Sequence, residues 1–323
     1  MGFFRQLFGG KEETPEEKAE KKRLHDFEVL KYDGLKALRM GKADHAITLL
    51  QEALSLAPDM EALGYLVEAH TQRGQLDTAH SLLEAMVETE PENAHLWYAM
   101  ACNEEARHDY KAMDEHCTKA LELDPNDPKT LYRAARAKRQ LKDAINSVAL
   151  LTRAIMQDNS YTEAYLLRAE TLREMGSLTE AEADADHLLE QGEDEDPLML
   201  KATLRAQQGD LQGAADYFGR VVKLNPLHRE AYIALSQTYA LNHQLDRALA
   251  LINEAIELMP DFGEAYKERG RIKMLLNDKE GATDDLKKAL ANASEAAKGI
   301  SGEFTNIEEA TRQQYKNMNP YGF

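Results

Sequence analysis

The apolar positions of this chain fall in a register that repeats every 33 or 34 residues. Its first column is Ala46, Ala79, Met113, Ser147, Ala181, Ala214, Ala248 and Ala282, mostly small residues. Four residues further on come Leu50, Leu83, Cys117, Leu151, Ala185, Phe218, Ile252 and Leu286. Seven further on come Ala53, Met86, Ala120, Ala154, Leu188, Val221, Ala255 and Ala289. Steps of four and seven keep one face of a helix turned the same way, and small residues at fixed points let two helices approach closely. Twelve residues after the first column stands a proline in five of the eight units: Pro58, Pro91, Pro125, Pro226 and Pro260. Gly41, Gly74, His108, Lys142, Gly176, Gly209, His243 and Asn277 mark a turn inside each unit. Glycine suits such a helix C-terminus because it reaches positive φ cheaply. Each unit reads as helix A, a short turn, helix B and a stop. Units four, five and eight carry Asn159, Glu193 and Ser294 where the others have proline, so their edges are softer.

This pattern resembles the tetratricopeptide repeat, whose period is 34 with W-x2-L-G-x2-Y, A-x3-F and P. The matching residues are Gly34, Trp97, Tyr239, Gly270, and Ala214-x3-Phe218 with Pro226. The resemblance covers residues 27–296 as eight units: 27–59, 60–93, 94–127, 128–161, 162–194, 195–228, 229–262 and 263–296. One helix pair cannot bury its apolar face alone, and stacking supplies the core. The expected fold class is therefore all-α: one right-handed superhelical α-solenoid of helix-turn-helix units, with a concave groove lined by the A helices. A length prior of roughly 150 residues per domain would instead give two domains.

The ends carry their own signals. Thr14-Pro15-Glu16-Glu17 predicts a helix start with a capping box, so residues 14–26 are expected to extend the first A helix. Thr305 and Glu308 are spaced as a second capping box, and a capping helix is expected within 297–317, ahead of a disordered tail at 318–323. Residues 1–13 read as a flexible apolar segment and linker. Within them Phe3, Phe4, Leu7 and Phe8 share one helical face, which makes them candidates for peripheral membrane contact. Myristoylation is not expected, because Gln6 stands where Ser or Thr is needed.

Composition narrows the function class. A net charge of −18 argues against nucleic-acid binding, which needs a basic footprint to displace counterions. No apolar run reaches the ~18 residues of a membrane span, and the N-terminus lacks a secretory signal. These features point to the cytosol, with contact at the inner face of the membrane as the alternative. Cys102 and Cys117 are too few for a disulfide framework. No nucleophile elbow, zinc-protease motif or phosphate loop is present. No enzyme activity, cofactor or metal is expected, and Glu193-Asp194-Glu195-Asp196 lacks the pattern of a calcium loop.

Charge placement is more informative than its total. Residues 128–161 hold seven basic residues against Asp143 and Asp158, a net of +5, while residues 162–196 hold twelve acidic residues against Arg168 and Arg173, a net of −10. Lys129, Arg133, Arg136 and Arg139 follow helical spacing along the fourth A helix. Two readings are open. The cluster pairs with Glu163, Glu170 and Glu174 of the next A helix, or it docks an acidic or carboxylate-bearing segment in the groove of units three to five. Tyr98, Tyr132 and His95 offer flat contact surfaces beside it. Some members of the resembled family clamp a chaperone's terminal carboxylate with a Lys/Asn/Lys/Arg set. Lys129-x-x-x-Arg133 resembles only its last part, and Gly64, Glu68 and Ala99 do not supply the rest. The resulting expectation is a non-catalytic adaptor or scaffold whose partners are other proteins or peptides. A membrane-tethered assembly or co-chaperone factor is the alternative.

Overall fold

The computed structural model describes residues 14–297, which form α-helices joined by turns and short irregular links. The membrane candidates Phe3, Phe4, Leu7 and Phe8, the capping helix near 305–317 and the tail at 318–323 lie outside the described residues. Among the described residues sixteen helices alternate as A and B. The first eight are α1 (Pro15–Arg39), α2 (Ala43–Leu56), α3 (Met60–Gln72), α4 (Leu76–Thr89), α5 (Ala94–Ala106), α6 (Tyr110–Leu123), α7 (Pro128–Gln140) and α8 (Ala144–Gln157). The next eight are α9 (Thr162–Glu174), α10 (Leu178–Gln191), α11 (Glu195–Gln207), α12 (Leu211–Leu224), α13 (Arg229–Leu241), α14 (Leu245–Leu258), α15 (Gly263–Leu275) and α16 (Lys279–Ala297). Odd numbers are A helices and even numbers B helices, which makes eight pairs.

The chain divides into two compact units, Met1–Ser160 and Tyr161–Phe323. The repeat register of the sequence runs through residue 160 unbroken, whereas the packing groups the helices on either side. In the first unit α1 packs on α2, α2 on α3, and so on to α8. In the second the same neighbour-to-neighbour order runs from α9 to α16.

Thr14 starts α1 as its spacing predicted. Its hydroxyl accepts from the Glu17 N–H at 3.1 Å, and Glu17 accepts from the Thr14 N–H at 2.7 Å. The first column of the register is fully buried in both units, from Ala46 to Met113 and Ser147 in one, and from Ala181 to Ala282 in the other. Around it, Phe27, Leu38, Leu50 and Leu66 form one core cluster of the first unit, and Tyr232, Ile252, Phe262 and Ile272 one of the second. Ser147, the polar member of the column, donates its hydroxyl to the Ala135 carbonyl at 2.9 Å. That bond satisfies a polar group buried between helices.

Every intra-repeat turn has the same backbone. Gly41, Gly74, Gly176 and Gly209 take positive φ, and so do His108, Lys142, His243 and Asn277, between 58° and 65°. The N–H of the next residue then reaches back five positions, as from Lys42 to the Ala37 carbonyl and from Asp143 to the Lys138 carbonyl. This is the Schellman closure, which satisfies carbonyls otherwise left open at the helix end. Aspartates at positions 109, 143, 210 and 278 then cap the B helix by accepting the N–H three residues on. A non-glycine residue in the left-handed region carries a cost of roughly 1–2 kcal/mol, partly offset by the smaller unfolded-state entropy it has relative to glycine. Lys142→Gly is therefore expected to raise the unfolding free energy by about 0.5 kcal/mol, read as a higher urea midpoint. Gly176→Ala is expected to lower it, and since open space surrounds a Cβ there the loss is conformational. A Lys142→Gly protein weaker than the parent contradicts this account.

Candidate partner-binding faces

The basic residues named above sit on a well-anchored helix. Asp127 caps α7 by accepting the Thr130 N–H at 2.8 Å, and Pro128 occupies its first turn. Leu131, Ala134, Ala135 and Ala137 are buried on its packed side. The opposite side carries Lys129, Tyr132, Arg133 and Arg136 beside α5, where Asn93 caps the helix and places His95 and Tyr98. Trp97 anchors the start of α5 by donating its indole N–H to the Pro91 carbonyl at 2.8 Å.

Within the first unit the two arginines converge on one carboxylate that the sequence reading did not single out. Arg133 and Arg136 both pair with Glu105 of α5, the second at 2.6 Å. Arg133 also donates to the Tyr98 hydroxyl at 3.3 Å and lies over that ring, 5.1 Å from its centroid. Arg136 lies over Tyr132 at 5.9 Å. Burial pushes the Tyr98 hydroxyl up, against the pull of Arg133. Lys129 and His95 are exposed, and Arg136 keeps 46% of its side chain in solvent. Arg139 is half-buried on the same helix. Lys138 carries its ammonium to Asp114 of α6 at 2.7 Å. Glu163, Glu170 and Glu174 belong to α9, in the second unit.

The face therefore offers a carboxylate already held between two guanidiniums, two aromatic rings beneath them, and an exposed lysine at the N-terminal end. One negative charge on Glu105 does not balance Arg133, Arg136 and Lys129. Glu105 escaped notice because it lies 28 and 31 residues before its arginines, on the A helix of the preceding repeat. Comparing A helices of adjacent units with an offset of one or two helical turns is the signal that finds it.

In the second unit three carboxylates of the fifth repeat, Glu182, Asp186 and Glu193, pair with cations of the sixth. Lys201, 1% exposed, reaches Glu182 and Asp186 at 2.6 Å each. Arg205 meets the same Glu182 at 2.7 Å, and Arg220 pairs with Glu193. Arg168 of the fifth repeat forks onto Asp184 at 2.6 and 2.9 Å. Burial pushes the Glu182 carboxyl upward, and hydrogen bonds from Gln208 and Lys201 more than reverse it, so it sits below the ordinary range. The −10 counted over residues 162–196 is thus offset in part by Lys201, Arg205 and Arg220, which reach back across the repeat edge.

Cys102 is half-buried on α5 and Cys117 is buried on α6, its thiol pushed up by burial. Among the described residues no cluster of three or more His, Cys, Asp or Glu is arranged to hold a metal ion. No helix among them is long and apolar enough to cross a membrane.

A family model described as tetratricopeptide repeat matches residues 37–101 and 205–268. The DnaJ protein P58IPK homolog of Arabidopsis thaliana is 30% identical over 105 residues, which cover 30% of this chain and 22% of that protein. The chain thus spans about a fifth of that relative's length. Among solved structures, a tetratricopeptide repeat protein of Parabacteroides merdae superposes with a TM-score of 0.60 at 19% identity, over 80% of this chain and 98% of that one. The pilF protein of Pseudomonas aeruginosa gives 0.56 at 16% identity, over 68% and 99%. At these identities the solved structures speak to the fold.

Proposed function

This chain is a tetratricopeptide repeat protein, and from that we infer that it is a non-catalytic adaptor whose A-helix faces hold segments of other proteins. The observation that carries the reading is the α5–α7 face. Its cations exceed the single carboxylate Glu105, and its guanidiniums are held flat by Tyr98 and Tyr132. Fixed guanidinium forks bind carboxylates bidentately at low entropic cost. An acidic or carboxylate-terminated segment suits this face, with Lys129 and Arg136 as its first contacts and Glu105 as the internal group it competes against.

An acidic Leu/Glu peptide labelled with fluorescein tests this by anisotropy on the full chain. Lys129→Glu/Arg136→Glu is expected to weaken binding about tenfold, since each reversed charge near the surface is worth up to about 1 kcal/mol. Glu105→Gln is expected to strengthen it, because the internal competitor is removed. Circular dichroism confirms that both variants fold. Unchanged affinity in both sinks the assignment of this face.

A further inference from the structure

We propose that the A-helix face of the second unit is a separate docking surface for a segment that combines apolar side chains with lysine or arginine. This rests on the adaptor reading and adds the partner chemistry for a second face.

The fifth residues of α9, α11 and α13 are Leu166, Met199 and Ile233, partly buried and one repeat apart. They line two cavities. One, of about 320 Å³, lies among α9, α11 and α13 and includes Leu166, Met199 and Thr203. The other, of about 470 Å³, lies between α13 and the start of α15 and includes Ile233, Ala234 and Phe262. An apolar floor of this kind takes side chains from an extended or helical segment at repeat spacing.

The rim of that floor names the occupant. The second residues of α9, α11, α13 and α15 are Glu163, Asp196, Glu230 and Glu264, all exposed. Asp196, Glu230 and Glu264 border the two cavities. Of the cations nearby, Arg229 pairs with Asp261 at 2.9 Å, and the ring of His228, whose Nδ1 accepts the Ala231 N–H, lies 3.6 Å from Glu195. Arg173 is the basic residue left at one end. A carboxylate in the first turn also favours the helix dipole. The dipole does not dictate the choice, because the same position holds His95 in α5 and Lys129 in α7. A row of carboxylates one repeat apart beside an apolar column is complementary to a segment that is both basic and apolar.

The test uses the full chain and two fluorescein-labelled 14-residue probes, a Leu/Lys peptide and its Leu/Glu counterpart, read by anisotropy. Asp196→Asn/Glu230→Gln/Glu264→Gln is expected to weaken the Leu/Lys probe about tenfold and leave the Leu/Glu probe unchanged. Ile233→Asn is expected to weaken the Leu/Lys probe as well. A control with the same change in net charge, Glu88→Gln/Glu190→Gln/Glu257→Gln, alters exposed B-helix carboxylates and is expected to have little effect. An equal loss in the control shows bulk attraction to an acidic protein and overturns the proposal. So does Leu/Lys binding that the first variant leaves intact. Carbodiimide cross-links from the Met1 amine or Lys11 to Glu230 in the protein alone put this chain's own N-terminal segment on the face and overturn the choice of a partner. If the Leu/Glu probe binds and the Leu/Lys probe does not, this inference alone falls. If neither binds, the adaptor reading falls with it.

Discussion

Replacing Glu182 with Gln and Asp186 with Asn together is expected to destabilise the second unit by about 3–5 kcal/mol, the cost of leaving a buried charge without its partner. Lys201 is the group left behind. It is 1% exposed, and its ammonium meets both carboxylates at 2.6 Å. Amide oxygens can still accept from the ammonium, but they leave its buried charge without a counter-charge. Adding Lys201→Met to the double variant is expected to recover more than half of the loss, because an apolar side chain of similar length suits the site. Urea melts of the three proteins at pH 7 decide it. A double variant as stable as the parent shows that the ion pairs contribute nothing net. In the parent, the depressed Glu182 contributes stability above the ordinary glutamate range, and that contribution disappears as pH falls through its lowered value.

Phe218→Ala is the second large effect, about 3–5 kcal/mol from lost burial and a cavity that collapses only in part. Phe218 is 4% exposed and sits in a cluster with Ala202, Ala214, Ala215 and Leu235, drawn from α11, α12 and α13. The small residues around it have no bulk with which to fill the space. Repeat proteins hold together by terms within each repeat and between nearest neighbours. Hydrogen exchange is therefore expected to quicken in α11 to α14 while amides of α1 to α6 keep their protection. Uniform loss of protection along the chain means that cooperativity extends further than nearest neighbours.

The fold was open to reading because its signal is repeated. The column from Ala46 to Ala282 and the column from Leu50 to Leu286 are buried where the register put them. The eight turn residues picked by position all take positive φ, including His108, Lys142, His243 and Asn277, which no glycine rule would have chosen. A single such match means little, whereas eight in phase constrain one another.

The charges were read less well, for a physical reason. Counting them repeat by repeat assumes that ion pairs stay within a repeat. Lys201 reaches back 15 and 19 residues to its carboxylates, and Arg133 reaches back 28 to Glu105. Long side chains on adjacent helices meet across repeat edges, so the local count overstated the imbalance of the fifth repeat and hid the carboxylate under the basic cluster. The aspartates at 109, 143, 210 and 278 act locally instead, each accepting an N–H three residues on.

The sequence by itself determined the helix pairs, their turns and the small-residue columns, because backbone periodicity and glycine-like conformations are local properties written every 33 or 34 residues. Tertiary structure alone decided which charges cancel, which stand free on an A-helix face, and that the packing groups the helices into two units at residue 160. Those outcomes depend on which side chains meet across neighbouring helices, a distance that spacing along the chain does not record.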